Sequence, residues 1–310
     1  MRTISQRPWH LYPVLGALAL VMVIHGSKSP RTSADGEASK RSPAALQLTN
    51  PQVNESSGLA KSNRQPGSFW THNDSGDSAR LFAFDGQGRV CGGCTLAEVD
   101  AIDAEDMASF VQDGVARLVF ADIGDNLAQR KQIRLYFFDE PDPRGESVIR
   151  DYQRLDVVYP EGARDCEAIA VDAAAGLVTL VSKTLLPAAM VHQIDLPPRK
   201  SGRELTNGDQ PLTLRSVGRL PLPLVTAMDR DERSGEMVVI NYLQLFRFPA
   251  AEDGKWWERS PRTTDLPRWK QIEAVAADHE GRVWVTSEGS PAPWGKVNES
   301  LTERTDAPVR

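Results

Sequence analysis

The sequence predicts an all-β fold, a β-propeller of five four-stranded blades. Three observations predict it. A short phrase with a polar third position returns five times, each copy is followed by β-branched and aromatic runs set between turn residues, and no apolar period of a helix persists. The copies read ESSGLA, DAEDMA, DCEAIA, LVTAMD and QIEAVA, with third positions Ser57, Glu105, Glu167, Thr226 and Glu273. Their spacing suits propeller blades of about 40–50 residues with insertions. A six-bladed array with one disguised unit is the runner-up.

Taken in order, residues 1–26 carry Arg2 and Arg7 ahead of the uncharged run LYPVLGALALVMVI, the pattern of a signal peptide or an uncleaved signal anchor. The expected location is therefore exported, periplasmic or extracellular, with the N-terminus as the one membrane attachment. Residues 27–44, rich in Ser, Lys, Arg and Ala, read as a flexible linker. The propeller is expected over 45–295, followed by a polar tail, 296–310.

Within the propeller the first unit offers strands in SFWTHNDSG, RLFAFDG and GRVCGGCTLAEV, and the second in ARLVFADIGDN, IRLYFFDEP and YQRLDVVYP. The third offers GLVTLVSK, AMVHQIDLP and LTLRSVGRL; the fourth EMVVINY, LQLFRFP and KWWERS; the fifth only EAVAAD and RVWVTSEG clearly, with room for one more strand in the tail. LQLTN (46–50) has no unit of its own, so it is expected to complete the last blade and hide the open sheet edges.

The inner strands of such a disc crowd one axis, which accounts for the Ala and Gly of the phrases, while Leu59, Met107, Ile169, Met228 and Val275 pack between blades. The third positions then ring one end of the channel. Second strands end at the same face, bringing Asn73, Asp74, Asp125, Asn126, Lys183, Asn241 and Glu288 toward that ring, with Asp103 and Asp165 nearby. Converging glutamates repel unless a cation, protons or basic partners compensate. Carboxylates and hydroxyls without a His or Cys pattern suit calcium; hydrogen bonding to neighbouring backbone, or pairing with Lys183 and Arg130, is the other reading. His72 and His192 are isolated and read as polar surface or satisfied interior.

A net charge of −6 and the lack of a basic stretch argue against nucleic acid as a partner, and none is expected. Cys91 and Cys94, in CGGC, either close a local disulfide or stand idle, and Cys166 reads as a small buried thiol. No G-x-S-x-G supports a serine hydrolase.

The order Ser57, Glu105, Glu167, Thr226, Glu273 resembles the axial ligand set of calcium-activated apyrases, secreted five-bladed propellers whose single calcium ion is approached by nucleotide phosphates. NDSG (73–76) is similar to that family's acidic turn in the first blade, and the chain also resembles a group of exported bacterial propellers marked by SGLA, NDSG and DIGDN. The resemblance implies calcium on those five residues. Thr226 stands where the family has a serine, and its base-stacking and basic phosphate-binding stretches are not recognisable here.

Two functions follow as expectations. One is a calcium-dependent hydrolase of phosphoester or phosphoanhydride bonds, with a lactonase or ester hydrolase as a variant: Asp74 or Asp125 would be its base, and Lys183 and Arg130 would stabilise negative charge. The other is a non-catalytic propeller that binds a protein or glycan on the acidic face with calcium structural. A monomer is expected in either case.

Overall fold

The five phrases fold as the innermost strands of five sheets in a computed structural model that describes residues 45–200, the backbone of 204–205, and residues 210–299. The expected leader and linker, and the tail from 300 onward, lie outside the described residues. In chain order, β1 (Leu46–Gln47) precedes a first blade of β2 (Ser56–Lys61), β3 (Ser68–Asn73), β4 (Arg80–Asp85) and β5 (Val90–Leu96). The second blade holds β6 (Ala104–Gln112), β7 (Val115–Asp122) and β8 (Ile133–Asp139). Its fourth strand comes after β9 (Glu146–Ile149), which pairs parallel to β5, and is β10 (Gln153–Val158).

The third blade is β11 (Cys166–Asp172), β12 (Leu177–Ser182) and β13 (Ala189–Asp195). The long connection that follows contains β14 (Glu204–Leu205) and β15 (Leu212–Thr213), both parallel to β10, before β16 (Arg215–Leu220) closes that blade. β17 (Val225–Arg230), β18 (Met237–Asn241), β19 (Gln244–Phe248) and β20 (Arg262–Asp265) form the fourth. The fifth has β21 (Ile272–Ala277), β22 (Val283–Ser287) and β23 (Pro293–Lys296), and its outer strand is β1, with Leu46 opposite Trp294. The N-terminal strand therefore completes the last blade, as the sequence led us to expect.

Each inner strand packs against the next, and β21 returns to β2, so the ring closes at five. Five apolar cores fill the gaps between neighbouring blades, and each takes one fifth-position residue: Met107 between blades one and two, Ile169 between two and three, Met228, Val275, and Leu59 at the closure. Small residues are required nearer the axis. At Gly58 an added Cβ would lie 2.2 Å from the buried His72 ring and 2.8 Å from the Met107 nitrogen.

One expected strand is misplaced. KWWERS is not extended; Trp256–Glu258 makes a turn of 3₁₀ helix, and the fourth strand is the later RTTD. Successive residues of a strand face opposite sides, and here both tryptophans need burial: Trp256 stands edge-on to Phe248, and Trp257 fills the space a side chain at Gly218 would occupy.

The inner strands all start at one face, and the second strands return to it. That face gathers loops 74–79, 123–132, 183–188, 242–243 and 288–292 and the connections between blades.

Candidate metal centre

The third position of every phrase coincides with a β-bulge. Pairing jumps from Ser56 to Leu59, Ala104 to Asp106, Cys166 to Ala168, Val225 to Ala227 and Ile272 to Ala274, leaving one extra residue on each inner strand. A bulge bends the strand and re-aims the side chain at the extra position. Five repeats of it set Ser57, Glu105, Glu167, Thr226 and Glu273 at the mouth of the channel, all buried.

The five then divide. Ser57 Oγ donates to the Glu105 carbonyl at 2.6 Å and Thr226 Oγ1 to the Ile272 carbonyl at 3.1 Å, each stitching one blade to the next. Glu167 pairs with the Lys183 ammonium, which also lies 5.3 Å from the centre of the Tyr242 ring. The Tyr242 hydroxyl donates to Glu273 Oε1 at 3.1 Å. Burial pulls the Lys183 ammonium down, but Glu167 and Tyr242 outweigh it and hold it above the usual lysine range.

Glu105 is different. Its side chain is buried, with 5% of the residue exposed, yet among the described residues its carboxylate receives no hydrogen bond and no cation pairs with it. Instead it is shared by two carboxylate trios: oxygens of Asp74, Asp103 and Glu105 lie within 4.8 Å of one another, and so do those of Glu105, Asp165 and Glu167. Burial, then Glu167, Asp74 and Asp103, push the Glu105 carboxyl well above its ordinary range. Burial, then Asp74 and Asp165, push Asp103 up to about 7, and burial with Glu288 pushes Glu273 up to about 8. Asp74 is also raised, chiefly by burial.

The DIGDN loop explains how such a crowd is held. Buried Asp122 accepts the N–H groups of Ile102 and Asp103 at 3.3 and 3.0 Å and pairs with Arg130 at 2.9 Å, fixing the backbone from which Asp103 projects. Gly124 lets the carboxylates pack against the loop: an added Cβ would stand 2.3 Å from Glu105 Oε1 and 2.5 Å from Asp103 Oδ2. The Asp125 N–H donates to Asp165 Oδ1 at 3.0 Å.

The Asp125 carboxylate, expected as a base, turns back on its own loop and accepts the N–H groups of Gln129 and Arg130, both at 2.8 Å. Arg130 likewise holds the carbonyls of Gly124 and Asp122. Asn73 accepts the N–H groups of Asn54 and Glu55 ahead of β2, while Asp74 accepts the N–H of Ser75 and joins Asp103 and Glu105. Tyr242 is the participant the sequence did not single out, and no local motif marks it. His72 is interior, its ring pushed down to about 4 by burial, and Cys91, Cys94 and Cys166 are free thiols.

No family model matches the chain, and no curated protein matches it. Solved structures similar to it include a glucose dehydrogenase, with TM-score 0.48 and 11% identity, covering 83% of this chain and 100% of that one. A gluconolactonase from Xanthomonas campestris gives TM-score 0.44 and 14% identity over 81% and 88% of the two chains. The WD40 repeats of RRP9 give 0.37 and 10% over 78% and 67%.

Proposed function

We propose that this chain is an exported calcium-binding propeller whose ion sits off the axis, on Asp74, Asp103 and Glu105, and serves hydrolysis of a phosphoester, phosphoanhydride or carboxylic ester. One observation carries the reading: Glu105, buried and without a hydrogen-bond donor, lies with two other carboxylates, Asp74 and Asp103, their oxygens within 4.8 Å of one another. Leaving such a charge uncompensated costs several kcal/mol, and hard oxygens at this spacing match the 2.3–2.6 Å bonds of calcium. Lys183 already balances the Glu167 side of the ring, which leaves the Asp74 side for the ion. Ser57 and Thr226 then act between blades rather than as ligands.

When bound, calcium would polarise a phosphoryl or carbonyl oxygen and lower the pKa of a water. Asp74, brought in from blade one opposite Asp103 and Glu105 of blade two, would hold the ion with them and take up the proton of a water there. Lys183, within the same acidic mouth, stabilises charge developing on the substrate. Asp125 positions Asp165 and the loop.

Calcium titration by calorimetry tests this. The native chain should bind about one ion; Glu105→Gln and Gly124→Ala should lose binding by more than about a hundredfold while keeping the fold. Asp74→Asn should weaken binding by about tenfold, less than the buried Glu105 because Asp74 is less enclosed, and lose turnover in a screen of aryl phosphates, nucleotides and lactones. If the native chain shows neither binding heat nor stabilisation by calcium, the proposal fails and a non-catalytic role for the acidic face takes its place.

A further inference from the structure

The opposite face of the disc, where the inner strands end, holds a cavity of about 610 Å³ between blades four and five. The turns 231–236 and 280–282, Arg247 of β19, Arg262 of β20 and the chain leaving β23 line it together. Five cations face it, Arg233, Arg247, Arg262, Arg282 and Lys296, against the four carboxylates of Asp231, Glu236, Glu280 and Glu299. Among the described residues Val297 is its one apolar side chain. A lining of this kind offers a small molecule charge and hydrogen bonds rather than apolar cover.

Arg247 sets the geometry. Its side chain is 7% exposed, and its Nη1 lies 3.3 Å from Asp231 Oδ2 and 3.1 Å from Glu236 Oε2. Those two carboxylates already compensate the buried charge. The other edge of the fork is nonetheless taken: Nε donates to Glu299 Oε2 at 2.6 Å and Nη2 to Glu299 Oε1 at 3.0 Å, the paired arrangement in which arginine reads a carboxylate. Glu299 belongs to no blade. The last backbone hydrogen bond along the described chain runs from the Val297 N–H to the Val283 carbonyl, two residues before it. Its carboxylate can therefore leave Arg247 without opening a sheet.

We infer that this cavity is a binding site for a small dicarboxylate, and that Glu299 occupies Arg247 in place of the ligand's first carboxylate. Lys296 receives the second. It is exposed on the same cavity and pairs with no carboxylate among the described residues, whereas Glu236 holds Arg262, and Asp278 and Glu280 hold Arg282. With Glu299 displaced, five cations stand against three carboxylates, an excess that matches a dianion. The site lies away from the acidic centre and asks nothing of it.

The test is calorimetric titration of succinate and of acetate into the full chain, in a buffer free of other carboxylates. Glu299→Gln should tighten succinate binding about tenfold, the gain from removing a competitor that fills the site about nine-tenths of the time. Glu280→Gln removes the same charge from the rim without freeing Arg247 and should change the affinity less than about threefold. In the Glu299→Gln chain, Lys296→Gln should weaken succinate about tenfold and leave acetate unchanged. Equal gains from Glu299→Gln and Glu280→Gln would reduce the effect to general charge and overturn the inference. Succinate that binds no better than acetate, or that ignores Lys296, rules out the dicarboxylate. Inorganic phosphate binding more tightly than succinate rules out carboxylate recognition, and absence of binding heat in the Glu299→Gln chain rules out the site itself.

Discussion

Raising the pH of a chelator-treated solution from about 6.5 to about 9 should soften the protein, and calcium should cancel the effect. Glu273 is displaced from its ordinary 4.5 to about 8, and Asp103 from 3.8 to about 7. Both folded values lie above the unfolded ones, so the folded chain keeps protons that the unfolded chain releases. The stability is complete below the unfolded values and is lost as pH rises through the folded ones. At about 1.4 kcal/mol per pH unit, Glu273 loses about 2 kcal/mol between pH 6.5 and 8. Asp103 adds under about 1 kcal/mol once its partial solvent exposure is discounted.

Glu105 and Glu167, raised by burial and neighbouring carboxylates, act in the same direction. The window avoids groups of opposite sign: His72 and His192, both lowered by burial, and Asp139, held low by its hydrogen bonds with Arg199, change stability below it. A total near 3 kcal/mol corresponds to a fall in Tm of about 6–12 °C for a domain of this size. Differential scanning calorimetry with and without calcium reads it directly. A Tm that is flat or rising with pH in chelator, or a slope that calcium leaves untouched, would refute the compensated-carboxylate argument.

Three further outcomes are expected. Ser57→Ala and Thr226→Ala should each cost about 1 kcal/mol in denaturant melts, the worth of one buried hydrogen bond, and change calcium affinity less than about threefold; a collapse of affinity would return them to the ion. Lys183→Gln should tighten calcium binding by about tenfold, since it removes a competing positive charge from the same low-dielectric mouth, and calorimetry would show the change. Asp106 accepts the N–H groups of Ile169 and Met228 from blades three and four. Asp106→Ala should lower stability by about 3 kcal/mol, with Asp106→Asn milder because it keeps an acceptor.

The repeat made the disc legible before any coordinates, because inner strands must be small-residued and bulky residues must recur where blades meet. It also located the ring of third positions. What the phrases hide is the bulge that turns each of those residues inward, since an extra residue leaves no mark on an alternating pattern. The pairing of the ring carboxylates was hidden for a related reason. Whether Glu105 or Glu167 meets a lysine depends on Lys183, at the end of a different strand, and nothing near Tyr242 announces its bond to Glu273.

Asp74 and Asp125 looked equivalent as acidic turn residues. Their loops differ: in the longer 123–132 connection both Asp125 oxygens are taken by the N–H groups of Gln129 and Arg130, whereas in the shorter 74–79 turn Asp74 accepts the Ser75 N–H through Oδ1 and its carboxylate still reaches Asp103 and Glu105. The tryptophans of KWWERS misled in the opposite way, since aromatic residues favour strands only where alternate faces differ in burial.

The pairing of β1 with β23 has a consequence for the life of the chain. During synthesis the strand that finishes the fifth blade is made first and its partner last, so four blades can form while the ring stands open with an unpaired edge beside β22. Such an edge is a template for wrong partners. The interval between the emergence of Ile272 and that of Trp294 is therefore when this protein is most open to aggregation, and when a holding chaperone would matter most.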